Sequence, residues 1–297
     1  MPTETNQTDW TLKRLLTWTT EYFQQARVDQ PRLCAEILLA HVLRCERIDL
    51  YVRFDQSPTP DQLTTYKDLV RRCRLHEPVA YLTGHAHFYG LTLKVAPGVL
   101  IPRPETELLV TQALNFIQRQ SSRPIVDVLD LCTGSGCIAI ALATHAVEAE
   151  IVAVDRNPAA LAIARENIET LGLEGRITLH ENDLFADLDK TGKGLFDLIV
   201  SNPPYISDRE FQTLDPTVRD YEPKEALLSG PDGLDCLRRI IDNAEPYLAD
   251  EGALMVEIAY NQADEVIALF EKTGYLTDIE AVTDHQGHRR VIKARKT

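Results

Sequence analysis

The chain has 297 residues, 44% of them hydrophobic and 26% charged, and its formal net charge is −14 at pH 7. These values are typical of a soluble globular protein with one large domain or two ordinary ones. No run approaches about 18 uninterrupted apolar residues, which excludes a membrane-spanning helix. The polar N-terminus lacks the pattern of a secretory signal, so we predict a cytoplasmic location in which the six cysteines stay reduced.

The negative charge is confined to one part of the sequence. Residues 1–85 contain 11 basic and 11 acidic side chains, whereas residues 86–297 contain 20 basic and 34 acidic ones and carry the whole net charge. A protein that binds nucleic acid through its phosphates usually presents a basic surface. The composition therefore argues against a nucleic-acid partner, although a local basic patch stays compatible with it.

Residues 1–76 predict a small helical domain. Apolar side chains recur at helical spacing in a first segment, and Pro31 suits the first turn of a second helix. A third helix is predicted over residues 61–75, with Arg71 and Arg74 near its C-terminal end, where positive charge is favoured.

The pattern changes after this helical region, and residues 77–103 predict a β-hairpin followed by a linker. The stretch HFYGLTLKVAPG shows alternating apolar residues around a glycine, which is typical of a hairpin. Pro104 then suits the start of a helix that runs to about Gln118, with Glu105 and Glu107 in its first turn.

Strand-like and helix-like segments alternate through the rest of the chain. The runs IVDVLDL, EIVAVD, ITLHEND, FDLIVSN and GALMVEIA are strand-like, four further segments are helix-like, and two more strands close the chain. Alternation at this spacing predicts βαβ units and a parallel sheet. We therefore predict an α/β fold, with residues 104–297 forming the larger domain.

Polar or glycine-rich segments follow three of the predicted strands. The first strand runs into Asp130-Leu131-Cys132-Thr133-Gly134-Ser135-Gly136, the second ends at Asp155, and the third at Asn182-Asp183-Leu184-Phe185. Ligands of open α/β sheets bind at the carboxyl ends of strands. Glycines permit a tight turn and close approach of a ligand, and a carboxylate can take both hydroxyls of a ribose. These segments predict a site for a nucleoside-sized ligand.

A nicotinamide dinucleotide is an alternative ligand for this glycine loop. Gly134, Gly136 and Ala139 fit the pattern G-x-G-x-x-A of dinucleotide-binding folds. Against this, Asp130 precedes the glycines, and its carboxylate suits the cationic end of an amino acid better than an anionic pyrophosphate. The nicotinamide interpretation also leaves the end of the fourth strand unexplained.

The fourth strand ends in the sequence Ser201-Asn202-Pro203-Pro204-Tyr205, whose last four residues we call the elbow. Two adjacent prolines stop a strand and stiffen the backbone. Asn202 offers a side-chain carbonyl and Pro203 a backbone carbonyl, so the pair can accept hydrogen bonds from an amide or amine nitrogen. Tyr205 can lie against a planar group. The elbow predicts a rigid acceptor site for a flat N–H donor.

Together these segments resemble the S-adenosylmethionine-dependent methyltransferases of the seven-stranded class. The resemblance is closer to the peptide chain release factor glutamine N(5)-methyltransferases, and it covers the chain from about residue 31 to the C-terminus. The stretches that carry it are PVAYLTG, HFYGL, LIPRPETE, VLDLCTGSGCIAIALA, IVAVDRNPAALAIARENI, FDLIVSNPPYI and YEPKEAL with GPDGL. The family often has glycine where this chain has Cys132.

The resemblance implies a Rossmann-like seven-stranded sheet with an N-terminal helical domain that helps to hold a protein substrate. It implies methyl transfer from S-adenosylmethionine to the side-chain amide of a glutamine, the GGQ glutamine, in class I peptide chain release factors. The elbow residues Asn202, Pro203 and Tyr205 are then the predicted catalytic group, and with Pro204 the substrate-binding group. The predicted donor-binding residues are Asp130, Cys132, Thr133, Gly134, Ser135, Gly136, Asp155, Asp183, Leu184 and Asn202.

Three other functions stay open. A related group of enzymes modifies a glutamine of a ribosomal protein and often carries the same DLCTGSGC stretch, whereas adenine N6 and guanine N2 methyltransferases share the elbow. LIPRPETE and Arg289-Arg290-Val291 favour the release-factor group. A non-catalytic nucleotide-binding module is the third possibility, which failure to bind S-adenosylmethionine would support.

Two further groups of side chains are candidates for a function. His85 and His87 are two positions apart in the sequence, and His285 and His288 are three positions apart. Matching cysteine or carboxylate spacings are absent, so we predict no metal site. Glu257 is a charged residue in a predicted buried strand, where it either faces the site or pairs with an arginine.

Overall fold

The computed structural model describes residues 10–120, 124–188 and 194–297. Contacts divide the described residues into two compact units. The first contains the residues up to Gly84 together with Pro216–Tyr221, and the second contains those of His85–Asp215 and Glu222–Thr297. The domain boundaries proposed from the sequence, after residues 76 and 103, stay a prediction. Within the described part of the chain, no helix is both long enough and apolar enough to cross a membrane.

The first unit is helical. Its helices are α1 (Leu12–Gln25), α2 (Pro31–Leu43), α3 (Arg47–Val52), α4 (Pro60–Arg74), α5 (Val79–Thr83) and, from the later segment, α10 (Pro216–Arg219). Thr59 begins α4 with a reciprocal pair of hydrogen bonds to Gln62, a capping box that satisfies two backbone N–H groups. The buried hydroxyl of Tyr66 donates to Thr19 Oγ1 at 3.0 Å. The short helices α3, α5 and α10 were not predicted, because a helix of four to six residues shows too little periodicity.

The second unit begins with a two-stranded hairpin, β1 (His85–Phe88) and β2 (Leu91–Lys94), which confirms the predicted hairpin. Pro104–Thr106 then forms one 3₁₀ turn that leads into α6 (Glu107–Arg119). The remaining helices of this unit are α7 (Cys137–His145), α8 (Pro158–Leu171), α9 (Asp208–Phe211), α11 (Asp235–Asn243) and α12 (Ala263–Thr273). Two further 3₁₀ turns, Lys224–Ala226 and Glu245–Tyr247, flank α11.

Seven strands of the described residues form one sheet, in the order β5-β4-β3-β6-β7-β9-β8. They are β3 (Val126–Leu131), β4 (Ala149–Asp155), β5 (Ile177–Glu181), β6 (Phe196–Ser201), β7 (Leu248–Glu257), β8 (Leu276–Thr283) and β9 (Arg289–Lys296). Strands β3 to β7 are parallel, whereas β9 runs antiparallel to both of its neighbours.

The α/β class is confirmed, but the expectation of a parallel sheet is wrong at β9. Only residues 284–288 separate β8 from β9, and Gly287 adopts a positive φ of 84° there. A parallel connection needs a crossover of a dozen or more residues, so a link this short produces an antiparallel hairpin.

The central strands are buried on both faces. Along β3, Val126 and Val128 pack into the apolar cluster that contains residues of α6 and α7, whereas Leu129 and Leu131 pack into the cluster that contains α11 and α12. A strand covered on both faces is apolar at successive positions rather than at alternate ones. The helices thus fix the sheet from both sides and leave the carboxyl ends of β3, β4 and β6 at one edge.

Candidate active site

A cavity of about 280 Å³ lies at the carboxyl ends of these strands. Most of the residues predicted for the site line it. They are Cys132, Thr133, Gly134, Ser135, Asp155, Asp183, Leu184, Asn202 and Pro204. The lining does not include Asp130, Gly136, Pro203 or Tyr205. The structure therefore brings nine of the thirteen predicted residues together at one cavity, and the other four lie within two residues of a lining residue in the sequence.

The glycine loop between β3 and α7 contains three residues with positive φ. Gly134 and Gly136 have φ values of 58° and 81°, and Cys132 has a φ of 60°. Glycine adopts this conformation without steric cost, whereas an L side chain is strained in it. A Cβ on Gly136 would lie 3.1 Å from Ile140 Cδ1 and 3.3 Å from Ala164 Cβ. Gly136 is thus needed for helix packing, and Gly134 for the shape of the cavity wall.

Asp130 supports this loop from behind. The side chain is fully buried, and its Oδ2 accepts hydrogen bonds from Thr133 Oγ1 at 2.6 Å and from the backbone N–H of Ala139 at 3.2 Å. Burial raises the pKa of the carboxyl to about 7, against the opposing effect of these hydrogen bonds. The structure therefore gives Asp130 the position of a brace between β3 and α7, and its direct contact with a ligand stays a prediction.

Asp155, at the end of β4, joins two segments of the cavity wall. Its Oδ2 accepts from the backbone N–H of Gly134 at 2.8 Å, and its Oδ1 accepts from that of Asn157 at 2.9 Å. Burial raises the pKa of this carboxyl above its ordinary value. A carboxylate oxygen can accept more than one hydrogen bond, so both oxygens retain capacity toward the cavity. A ribose with two hydroxyl groups fits this arrangement.

Asp183 and Leu184 follow β5 and line the same cavity. Asp183 pairs with Arg239 of α11, with 2.8 Å between Oδ2 and Nη2, and both side chains are about half exposed. Phe185 is buried instead against Tyr247, with ring centroids 4.9 Å apart. The apolar wall at this strand end is therefore Leu184 rather than the aromatic ring.

The elbow is held by hydrogen bonds on both sides. Asn202 Nδ2 donates to Thr106 Oγ1 at 2.9 Å, so the side-chain oxygen lies on the opposite side of the amide and stays an acceptor. Tyr205 donates its hydroxyl proton to Glu257 Oε1 at 3.2 Å, and its carbonyl accepts from Gln262 Nε2 at 3.0 Å. Burial raises the pKa of the Tyr205 hydroxyl, which keeps it protonated and a donor. The bond to Thr106 thus sets the direction of the Asn202 amide, and the bonds to Glu257 and Gln262 hold Tyr205.

Sequence reasoning missed a carboxylate that holds the wall formed by residues 100–103. Glu222 accepts from the backbone N–H of Ile101 at 3.1 Å through Oε2 and from Arg103 Nη2 at 2.5 Å through Oε1. Its side chain is 1% exposed. The sequence signal was present, since Glu222 is part of the quoted stretch YEPKEAL, but only the fold brings it to Arg103. Arg239 and Cys236, which also line the cavity, were missed for the same reason.

Comparison with known proteins identifies the family to which the chain belongs. Residues 14–84 match the family model of the PrmC N-terminal domain, and residues 106–217 match that of the methyltransferase small domain. A release factor glutamine methyltransferase of Rhodopirellula baltica is 43% identical over 297 residues, which is 100% of both chains. The chain belongs to the release factor glutamine methyltransferase family. A second relative of that name, from Geobacter sulfurreducens, is 42% identical over 96% of this chain and 97% of its own.

The family confirms the resemblance inferred from the motifs and the interpretation of the chain as a methyltransferase. Among solved structures, the catalytic domain of hMettl16 in complex with MAT2A 3'UTR hairpin 6 matches with a TM-score of 0.55. It covers 77% of this chain and 81% of its own at 13% identity, so it supports the fold alone. Within the described residues, no group of three or more His, Cys, Asp or Glu side chains is arranged to hold a metal ion.

Proposed function

We propose that this protein transfers a methyl group from S-adenosylmethionine to the side-chain amide nitrogen of a glutamine in a class I peptide chain release factor. The observation that carries the proposal is the fixed amide of Asn202, whose nitrogen is bound by Thr106 so that its oxygen serves as acceptor at the cavity. Family membership over the whole chain supports the same activity, because several full-length relatives are named release factor glutamine methyltransferase.

The residues around the cavity fit this methyl donor. The wall at Gly134 has no side chain, and a Cβ there would meet no atom within 4 Å, which leaves room for a close ligand. Asp155 has acceptors for a ribose, and Asp183 with Leu184 offers a polar group and an apolar surface for a base. When bound, S-adenosylmethionine supplies a methyl group on a positively charged sulfonium.

The elbow would act on the glutamine amide, which is a poor nucleophile because its lone pair is shared with the carbonyl. Asn202 Oδ1 and the carbonyl of Pro203 would accept its two N–H bonds and direct the remaining lobe at the methyl group. The two prolines fix this geometry before the substrate arrives, which lowers the entropic cost of alignment. Transfer places the positive charge on the amide nitrogen, and one N–H proton leaves afterwards. A strong general base is therefore not required.

Tyr205 would support the substrate through its ring. Its hydroxyl is held by Glu257 and its carbonyl by Gln262, so the side chain has little freedom to move. Since the residue lies beside the cavity lining, we propose that the entering glutamine amide contacts the ring only after it reaches past Pro204. This role of Tyr205 stays a prediction. The roles of the other predicted site residues and the cytoplasmic location also stay predictions.

A methyl-transfer assay with separate substrates tests the proposal. The purified protein is incubated with labelled S-adenosylmethionine and, in parallel, a class I release factor, a ribosomal-protein fraction and duplex DNA. We expect label on the release factor alone. A release factor in which the GGQ glutamine is replaced by alanine should take up no label. Label on ribosomal protein would favour the related glutamine methyltransferases, and label on DNA alone would refute the proposal.

A further inference from the structure

An exposed tyrosine lies at the edge of the sheet where the elbow begins. Tyr260 follows the carboxyl end of β7 and is 58% exposed, and no other Phe or Tyr in the described part of the second unit is exposed to this extent. Strand β7 is parallel to β6, so Tyr260 and the elbow share one edge of the sheet. A single exposed ring is ordinary on a protein surface, so it is the fixed surroundings of Tyr260 that distinguish it.

We propose that Tyr260 is a substrate-binding residue whose ring packs against the polypeptide backbone beside the target glutamine. The inference rests on the proposed function, since it names the surface on which the acceptor protein lies while its glutamine occupies the elbow. The contact holds the acceptor protein and takes no part in the transfer of the methyl group.

The turn that carries Tyr260 is bound directly to the elbow. Gln262 Nε2 donates to the carbonyl of Tyr205 at 3.0 Å, and Gln262 Oε1 accepts from the backbone N–H of Ala259 at 3.1 Å. The Gln262 residue is only 6% exposed. One buried amide therefore closes the turn of residues 259–262 and fixes its distance from the elbow.

A second contact joins this turn to the segment that follows the elbow. Asn261 Nδ2 donates to Glu210 Oε1 at 3.2 Å, and Glu210 Oε2 accepts from Ser207 Oγ at 2.7 Å. Ser207 caps α9 two residues after Tyr205. Both residues that follow Tyr260 in the sequence thus bind to the elbow or to its continuation, so the backbone at Tyr260 has a defined position beside it.

The ring of Tyr260 is placed by the β8–β9 hairpin. The ring centroids of Tyr260 and His288 are 5.3 Å apart, and Arg290 Cζ lies 5.8 Å from the Tyr260 centroid. Asp284 holds both neighbours, because it accepts from Arg290 Nε at 3.3 Å and from the backbone N–H of His288 at 2.9 Å. A ring with ordered neighbours that still faces solvent loses little conformational freedom when a partner covers it.

The chemistry of the acceptor fits a ring at this position. While a glutamine side chain reaches into the elbow, the peptide groups on either side of it stay outside, at the edge of the sheet where Tyr260 lies. Peptide groups are planar, and an aromatic ring offers a flat apolar face against which they pack. In the GGQ segment of the proposed substrate, two glycines leave these faces uncovered by side chains. Tyrosine is also enriched among the residues that dominate binding at protein interfaces.

A nucleic-acid base could also stack on an exposed ring. The charge of the chain disfavours this occupant, because residues 86–297 carry the whole net charge of −14 and nucleic acids bind through neutralised phosphates. The polypeptide backbone is therefore the occupant that the molecule favours.

Three variants of the full-length protein test the inference. Tyr260→Ala removes the ring and Tyr260→Phe retains it. Tyr89→Ala is the control, since the Tyr89 ring also lies beside a histidine, with 5.2 Å between its centroid and that of His145. His145 ends α7, which begins at the cavity edge of the sheet and leads away from it.

Steady-state kinetics with a class I release factor as acceptor separate binding from chemistry. We expect the KM for the release factor to rise at least ~10-fold in Tyr260→Ala, with kcat within about threefold of wild type. Tyr260→Phe and Tyr89→Ala should stay within about threefold in both quantities. The Kd for S-adenosylmethionine should change less than about threefold in all three variants, which shows that the cavity is intact.

A photocrosslink locates the contact. With p-benzoylphenylalanine in place of Tyr260, irradiation in the presence of the release factor should give a crosslink next to the GGQ glutamine, which mass spectrometry maps. The same group in place of Tyr89 should give no crosslink there. Methylation of the release factor by the wild type with an unchanged KM in Tyr260→Ala, or a crosslink that maps elsewhere, would overturn the inference and leave the proposed function standing.

Failure of the proposed function gives a different result. If the wild type labels a ribosomal protein instead, the same KM comparison with that protein decides the inference, and a rise in Tyr260→Ala alone supports it. Label on DNA with a KM that depends on Tyr260 would assign the ring to a base and overturn the inference. Absence of label on every acceptor would refute the proposed function and the inference together.

Discussion

Asn202 is the side chain on which the proposed reaction depends most directly. Its amide nitrogen is bound by Thr106, and its Oδ1 is the acceptor that the proposed reaction needs. We expect Asn202→Ala to lower kcat for release-factor methylation by roughly 10²–10³-fold, since removal of a fixed polar contact to the transition state has an effect of this size. The Kd for S-adenosylmethionine, measured by calorimetry, should change less than about threefold. Loss of donor binding with an intact fold would place the main role of Asn202 elsewhere.

The raised pKa of the buried Asp130 carboxyl predicts that the stability of the protein depends on pH. The ordinary pKa of its carboxyl is 3.8, and burial raises it to about 7 in the folded protein. Between these two values the folded state binds more protons than the unfolded state, so the free energy of unfolding falls as the pH rises through this window. Asp130→Asn does not titrate, and wild type should lose up to ~4 kcal/mol relative to the variant from about pH 4 to pH 7.

Urea denaturation of the ligand-free protein at a series of pH values measures this difference. The test compares how steeply the free energy of unfolding changes with pH in the two proteins. Its absolute value differs for another reason, because the NH₂ group introduced by Asp130→Asn adds a pH-independent cost of about 1–3 kcal/mol where Oδ1 of Asp130 has no partner among the described residues. Asp250→Asn, at an exposed position, is the control and should follow wild type. Parallel curves for Asp130→Asn and wild type would contradict the raised pKa.

At the scale of elements, the turn from β3 into α7 separates two roles of glycine. Gly136→Ala combines a φ of 81° with contacts of 3.1 Å to Ile140 Cδ1 and 3.3 Å to Ala164 Cβ, so we expect a loss of about 1–3 kcal/mol in the free energy of unfolding. Gly134→Ala has a φ of 58° and no close contact, and should lose only about 1 kcal/mol. Its Cβ lies at the cavity wall, so donor affinity should fall further than in Gly136→Ala. Denaturation measures the loss of stability in both variants, and calorimetry measures their affinity for S-adenosylmethionine. Equal losses in stability would refute the prediction.

The wall at residues 100–103 depends on an element far away in the sequence. Glu222 binds the backbone of Ile101 and the side chain of Arg103, so Glu222→Ala should release this wall from the cavity. We expect the Kd for S-adenosylmethionine to rise about tenfold, because a buried acceptor of a cation is lost and part of the cavity is no longer fixed. Calorimetry measures the change, with the exposed Glu271→Ala as control. Unchanged affinity would mean that the wall holds its position without Glu222.

For the molecule as a whole, the charge distribution predicts weak binding to nucleic acid. Residues 86–297 carry the net charge of −14, and the earlier part of the chain is neutral overall. Since non-specific DNA affinity comes from neutralised phosphates, we expect a Kd weaker than ~10⁻⁴ M for duplex DNA at physiological salt. Fluorescence anisotropy with a labelled duplex, at low and physiological salt, measures this affinity. Tight binding that weakens steeply with salt would reveal a basic surface and favour a base as methyl acceptor.

The order of elements and the location of the cavity could be predicted from the sequence. Apolar periodicity and glycine and proline positions are local properties, and the carboxyl ends of parallel strands always share one edge of a sheet. That rule was enough to place Gly134, Asp155 and Asn202 at one cavity. The short helices and the antiparallel β9 escaped prediction, because they depend on caps and loop lengths rather than on periodicity.

The sequence by itself thus determined the class of fold, the family and the set of residues at the strand ends, since each of these is written in local patterns. Only the tertiary structure decided which of those residues face the cavity and which stand behind it. Asp130 and Tyr205 turn to partners in the interior, while Thr106, Glu222 and Glu257 join the site from distant segments. The physical reason is that a hydrogen bond depends on the direction of a side chain in space, and that direction is set by packing between elements far apart in the chain.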